Sequence, residues 1–320
     1  MSTGLQTRRF PIWRVLAAVV ALAVIAVVVV LVVDKATGGP EVKDTIKVGG
    51  APSAVTTGLG GVWLTQNDGG TLIKVDPDSK QIASRPVEIG AFPQNVAVGE
   101  GSVWATGGRG GRLVRVDPKT NRVLGTVIDG FEPTGVAVGE GAVWMADTDA
   151  GTITRVDPRT NRKVGKPIKV GPGPQGVITG DGAVWVANFH GQTVSRIDPA
   201  TNRVVADIRT GHGPADLALG EGGLWVVNVN DRTVVKVDPA QNRVVGKPIS
   251  IGGEPSAIAV GDGSVWATDV GDGTLKRIDP DSMSVKDEIR VGTQPSSVAF
   301  GYGSLWVAVA RGNELIRVEP

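Results

Sequence analysis

PTGVAVGEGAVWMAD (residues 133–147), GTITRVDPRTNR (151–162) and KVGKPIKV (163–170) decide how this chain folds. Each run is short, rich in Val, Ile and Thr, and bounded by Gly or Pro, the pattern of β-strands separated by tight turns. Strand A is VAV and ends in the turn Gly139-Glu140-Gly141. Strand B is AVWMA around Trp144, strand C is TITRV, and the turn DPRTN leads into strand D. Strands this short, joined by connections of a few residues, form a four-stranded antiparallel meander.

The unit recurs along the chain. Trp63, Trp104, Trp144, Trp185, Trp225, Trp266 and Trp306 follow one another at alternating spacings of 41 and 40 residues, and a fixed period near 40 marks stacked copies of one supersecondary unit. Asp-Pro opens the C–D turn at Asp76, Asp117, Asp157, Asp198, Asp238 and Asp279, with Glu319-Pro320 as the seventh variant. Asp suits the first position of a type I turn, and the fixed φ of Pro suits the second. The Gly-x-Gly of the A–B turns lacks the third Gly of a phosphate loop. It carries an acid where an anion would approach and leads into a strand, so nucleotide binding is a poor reading.

Seven A–B–C sets begin at Pro52, Pro93, Pro133, Pro174, Pro214, Pro255 and Pro295, but no D strand follows the last. One precedes the first: DTIKVG (44–49) resembles DEIRVG (287–292). A strand over residues 43–48 is therefore expected to complete the blade begun at Pro295, which leaves no open blade edge. The expected fold is all-β, a seven-bladed β-propeller of four-stranded antiparallel blades over residues 43–320.

Residues 15–33 are nineteen consecutive apolar residues. As a helix they would reach about 28 Å, enough to cross a hydrocarbon core. Arg8, Arg9 and Arg14 precede the run, so the positive-inside bias puts the N-terminus in the cytoplasm. The expected organisation is a cytoplasmic tail (1–12), a transmembrane signal-anchor helix (13–33), a polar linker (34–42) and an extracytoplasmic propeller. Cleavage near Ala36 and Gly38 is the rival reading. With 33 basic and 32 acidic residues the chain lacks the basic face that nucleic acid requires, and with no cysteine it has neither thiolate chemistry nor disulfides. A monomeric ring is expected.

The seven tryptophans are read as blade-to-blade packing residues, with a ring of binding aromatics as the alternative. Lys74, Arg115, Arg155, Arg196, Lys236, Arg277 and Arg317 share one strand face. They are read as solvated or acid-paired strand ends, with a sevenfold cation ring as the alternative.

PxxVAVG, VWVAN (184–188) and TVSRID (193–198) resemble the repeats of the streptogramin B lyase, YVTN and NHL propellers. The resemblance covers residues 43–320 and implies architecture more than activity. In the lyase, catalytic histidines directly follow the Pro that opens strand A. Here those places hold Ser53, Gln94, Thr134, Gln175, Ala215, Ser256 and Ser296. The lyase also tends to carry Glu three residues after the Trp. Here the residues are Gln66, Gly107, Asp147, Asn188, Asn228, Asp269 and Val309. The lyase general base therefore does not carry over.

Alternating strands put the D–A and B–C loops on one face, where the copies diverge, and variable loops on a rigid scaffold favour ligands. Candidate ligand-binding residues there are Phe92, Arg109, Phe131, Glu132, Phe189, His190, His212, Asp216, Glu254 and Arg311. His190 and His212 are expected to be neighbours across one sector. They are the alternative catalytic pair, with a divalent metal, if the protein is a lyase-like or hydrolase-like enzyme. Otherwise no cofactor is expected. Asp147 to Asp149 and Asp269 to Gly273 faintly resemble calcium loops but supply too few oxygens. The leading expectation is a non-catalytic module that binds an extracytoplasmic protein, glycan or small ligand; a structural envelope protein without a ligand is a third reading.

Overall fold

The computed structural model describes residues 38–83, 85–107, 110–128 and 133–320. The expected tail, membrane helix and the first part of the linker lie outside the described residues, and no helix among those described is long and apolar enough to cross a membrane.

Pro40–Pro320 forms seven antiparallel sheets, each with strand order A-B-C-D. The first blade begins at Pro52–Gly58 and the last at Pro295–Gly301. The closure follows the strand count. Glu41–Lys47 pairs antiparallel with Glu314–Glu319 and becomes the D strand of the last blade. Pairing starts at Glu41, inside the stretch read as linker. The third blade departs from expectation: its D strand is broken into Arg162–Lys163 and Ile168–Lys169. Pro167 has no N–H to donate and Gly165 sits at φ +73° between the two pieces.

Strand B is buried along its whole length in every blade. The core lies between blades rather than within one. Trp144, Ala146 and Ile153 pack on Val177, Val184, Val186 and Ile197 of the next blade, and Trp306, Ala308 and Leu315 pack on Val55, Val62 and Ile73 across the closure. All seven tryptophans are fully buried. Most satisfy the indole N–H locally; Trp144 Nε1 donates to Gly139 O at 3.0 Å and Trp306 Nε1 to Gly301 O at 3.0 Å. The glycine that accepts this bond also has to be glycine. A Cβ at Gly139 would run into Thr179 of the next blade, and one at Gly301 into Thr57.

The strand-C cations are neither a solvated rim nor a central ring. Arg155 lies 5.0 Å over Trp144, and Arg196 lies 5.1 Å over Trp185. Arg155 Nη1 also donates to Pro199 O (2.7 Å) and Asn202 Oδ1 (2.9 Å), and Arg196 repeats this on Pro239 and Asn242. Each blade thus holds the C–D turn of its successor. Acid pairing occurs at Arg277–Asp287 and Arg317–Asp44. The A–B turns are two-residue loops with both residues left-handed, Glu100 at φ 50° and Gly101 at φ 69°, which matches the twist of the strands they join.

Candidate functional site

The D–A and B–C loops meet at the start of each blade. A backbone bond links the two loops in successive copies: Phe189 N donates to Gly173 O, Val229 N to Gly213 O, Val270 N to Glu254 O and Ala310 N to Gln294 O. The seven A strands surround a central cavity of about 570 Å³, within the range of small-molecule pockets.

Ser53, Gln94, Thr134, Gln175, Ala215, Ser256 and Ser296, which replace the histidines of the lyase resemblance, all line this cavity. Most of the hydroxyls serve the ring. Ser53 donates to Pro93 O (2.9 Å), Thr134 to Pro174 O (3.1 Å), Ser256 to Pro295 O (3.1 Å) and Ser296 to Pro52 O (3.0 Å). Each ties a blade to the next, and no general base stands beside any of them among the described residues. Gln94 and Gln175 leave their amides to the cavity.

The residues three places after the tryptophans also turn inward. Gln66 Nε2 donates to Val48 O, Asn188 Nδ2 to Ser195 Oγ, and Asn228 Nδ2 to Thr210 O. Asp147 accepts from Ala150 N. These groups bind loops together. In the sixth blade the same position builds a buried ion pair: Lys276 Nζ lies 3.1 Å from Asp269 Oδ2, with Asp272 at 3.6 Å and Glu288 at 3.7 Å. Burial opposes the charge on Asp269, yet N–H donors from Glu254 and Asp272 and the Lys276 ammonium hold its pKa below the usual carboxylate range. Burial likewise opposes the charge on Lys276, but Asp269, Glu288 and Asp272 raise its pKa. The ammonium fills the place a calcium ion would take. Sequence reasoning missed this cluster, although a signal existed. Lys276 stands in a strand-C slot that other copies give to Ile73, Val114, Thr154, Ser195, Val235 and Ile316.

The two histidines have separate partners. His190 meets Phe189 edge-on with ring centroids 5.2 Å apart and packs over Gly173, where a Cβ would run into the imidazole. His212 Nδ1 lies 2.7 Å from Asp231 Oδ1, and His212 N donates to Asp231 Oδ2 at 2.7 Å. These donations, the backbone one first, lower the Asp231 pKa. Among the described residues no group of three or more His, Cys, Asp or Glu side chains is placed to hold a metal ion.

Of the other candidates, Phe92 is about half exposed and borders a second, smaller depression with Asn67, Gly70 and Glu88. Glu254 offers its backbone N–H to Asp269, and Arg311 is exposed. Arg109, Phe131 and Glu132 lie outside the described residues.

Asp216 is brought into the cavity wall. It opens partly to the cavity but is enclosed by protein, and each carboxylate oxygen accepts one backbone bond, from Leu217 N (2.9 Å) and from Ile258 N (2.9 Å) in the next blade. Burial pushes its pKa up to about 6, the two N–H donors offsetting only part of the penalty.

Residues 41–318 match the model of the Virginiamycin B lyase family. Among solved structures, a streptogramin B lyase is 18% identical with TM-score 0.75, covering 88% of this chain and 97% of its own. Virginiamycin B lyase from Staphylococcus aureus is 15% identical with TM-score 0.77, covering 88% of this chain and 100% of its own. A catalytically inactive variant of the same enzyme with quinupristin is 17% identical with TM-score 0.76, covering 88% and 99%. Identities this low speak for the fold alone. No curated protein matches the chain.

Proposed function

The chain belongs to the virginiamycin B lyase family, and from that premise we propose that it is a non-catalytic member, a propeller that binds a ligand or partner through its D–A/B–C face. One observation carries the reading. The hydroxyls of Ser53, Thr134, Ser256 and Ser296, at the places where the lyase resemblance puts catalytic histidines, are engaged with the carbonyl of the following blade's Pro. A hydroxyl so bonded, without a base beside it, is a poor proton acceptor and a poor nucleophile. The apolar run 15–33 adds that the ring is tethered to a membrane on its extracytoplasmic side.

In-cell crosslinking of the full-length protein tests this, with Phe92, Phe189, His190 and His212 changed together to Ala as the control. Capture of one dominant partner or ligand, lost in the control while its melting transition is kept, supports the reading. The second reading is a lyase-like enzyme using His190 and His212, favoured by their place on the loop face. Conversion of quinupristin by the wild type, lost when both histidines become Ala, would establish that reading and overturn the first.

A further inference from the structure

We propose that the central cavity binds a small polar molecule bearing a protonated amine, whose ammonium group is held by the Asp216 carboxylate. This rests on the ligand-binding reading above and names the chemistry of its ligand.

Asp216 is the one ionisable side chain among the residues lining the cavity. The strands packed around it are PQGVITG (174–180), GLWVVN (223–228) and PSAIAVG (255–261), and none contains a titratable residue. A carboxylate in that setting has no counter-charge from the protein. A ligand cation is its complement, since partial exclusion of water strengthens the pair. Each carboxylate oxygen accepts one backbone bond and has capacity for another.

The repeat supplies an internal control for the structural alternative. In other blades this position is Ala54, Asn95, Gly135, Gly176, Ala257 or Ser297. Asn95 Oδ1 accepts from Val96 N, just as Asp216 Oδ1 accepts from Leu217 N. Ser297 Oγ accepts from Val55 N of the following blade, just as Asp216 Oδ2 accepts from Ile258 N. Neutral side chains therefore make both bonds elsewhere in the ring. The scaffold has no need of the charge, which burial makes costly, and the ligand is what the charge serves. The side-chain amides of Gln94 and Gln175, which line the same cavity without hydrogen-bond partners among the described residues, suit the ligand's polar groups.

The test uses the full chain in detergent and two matched pairs of probes, ethanolamine against ethylene glycol and glucosamine against glucose, followed by ligand-observed NMR. D216N and D216S keep the acceptors that Asn95 and Ser297 show to be compatible with the fold, and their melting curves verify folding. At neutral pH each amine is expected to bind roughly tenfold or more tighter than its neutral counterpart, the scale of one charge-assisted hydrogen bond. That preference should disappear in both variants, and in the wild type as acid protonates Asp216. Equal binding of amines and neutral probes, amine binding unchanged in D216N, or no binding by any probe overturns the proposal. If the partner captured in cells persists in D216N while the amines fail, the cavity proposal falls and the loop-face reading stands.

Discussion

Ser296 donates its hydroxyl proton to the carbonyl of Pro52 at 3.0 Å, across the junction where the last blade meets the first. Ser53 does the same to Pro93, one blade on. A position that looked like a vacated catalytic site is thus part of the ring's own bonding. Ser296→Ala should lower unfolding stability by about 0.5–1.5 kcal/mol, the net worth of one such bond. Urea denaturation measures it, and a loss well above that range would mean that the junction depends on this bond more than its neighbours suggest.

Arg155 joins two blades through Asn202. Arg155→Ala removes its contact with Trp144 and both hydrogen bonds to the next turn, and should cost about 1–3 kcal/mol. Asn202 lies at φ 54°, so Asn202→Gly removes the acceptor without straining the turn. A double-mutant cycle should give a coupling of about 0.5 kcal/mol or more; additive losses would show that the two residues act independently.

Asp216 makes stability depend on pH in the sense opposite to most carboxylates. Its pKa rises from the ordinary value to about 6 on folding, so the folded state holds the proton more tightly than the unfolded chain. The stabilisation is complete below the unfolded pKa and is lost as pH climbs through about 6. D216N should therefore match the wild type near pH 4 and exceed it by about 1–3 kcal/mol near pH 8, less than the full shift because the carboxylate is partly open to the cavity. Stability curves of the two proteins across that interval would reveal an absent crossover.

Lys276 and Asp269 act as a unit. Lys276→Ala strands a buried carboxylate and should cost about 3–5 kcal/mol. Pairing Lys276→Ile with Asp269→Asn copies residues of other blades, Ile73 and Asn188, and should recover most of the loss. The lowered Asp269 pKa gives the usual acid sensitivity: its contribution is present above the unfolded carboxylate pKa and lost as pH falls through the folded one. Calorimetric melting of the single and double variants decides this.

His212→Ala should change stability by about 0.5 kcal/mol or less, since the Asp231 pair is exposed. A larger loss in thermal melting would mean that the imidazole has a structural role in the loop.

The architecture was legible because it is written seven times. The Trp period, the Asp-Pro turns and the spare N-terminal strand each encode local geometry or strand count, and local geometry depends on neighbours in sequence. The broken D strand of the third blade was missed although Pro167 and Gly165 signalled it. The same Gly-Lys-Pro at Gly246–Pro248 lies inside a continuous strand, so the break depends on surroundings.

The sequence by itself determined the seven blades, their strand order and the residue that closes each turn. Only the tertiary structure decided what the odd residues do. It turned Ser53 and Ser296 into inter-blade ties, gave His190 to Phe189 and His212 to Asp231, and placed Asp216 alone in the central cavity. The reason is physical. A turn or a strand is fixed by φ/ψ preference and side-chain period within a few residues. The partner of a polar group comes from a chain segment about forty residues away, or from the other end of the chain, and burial sets its charge only after the ring has closed.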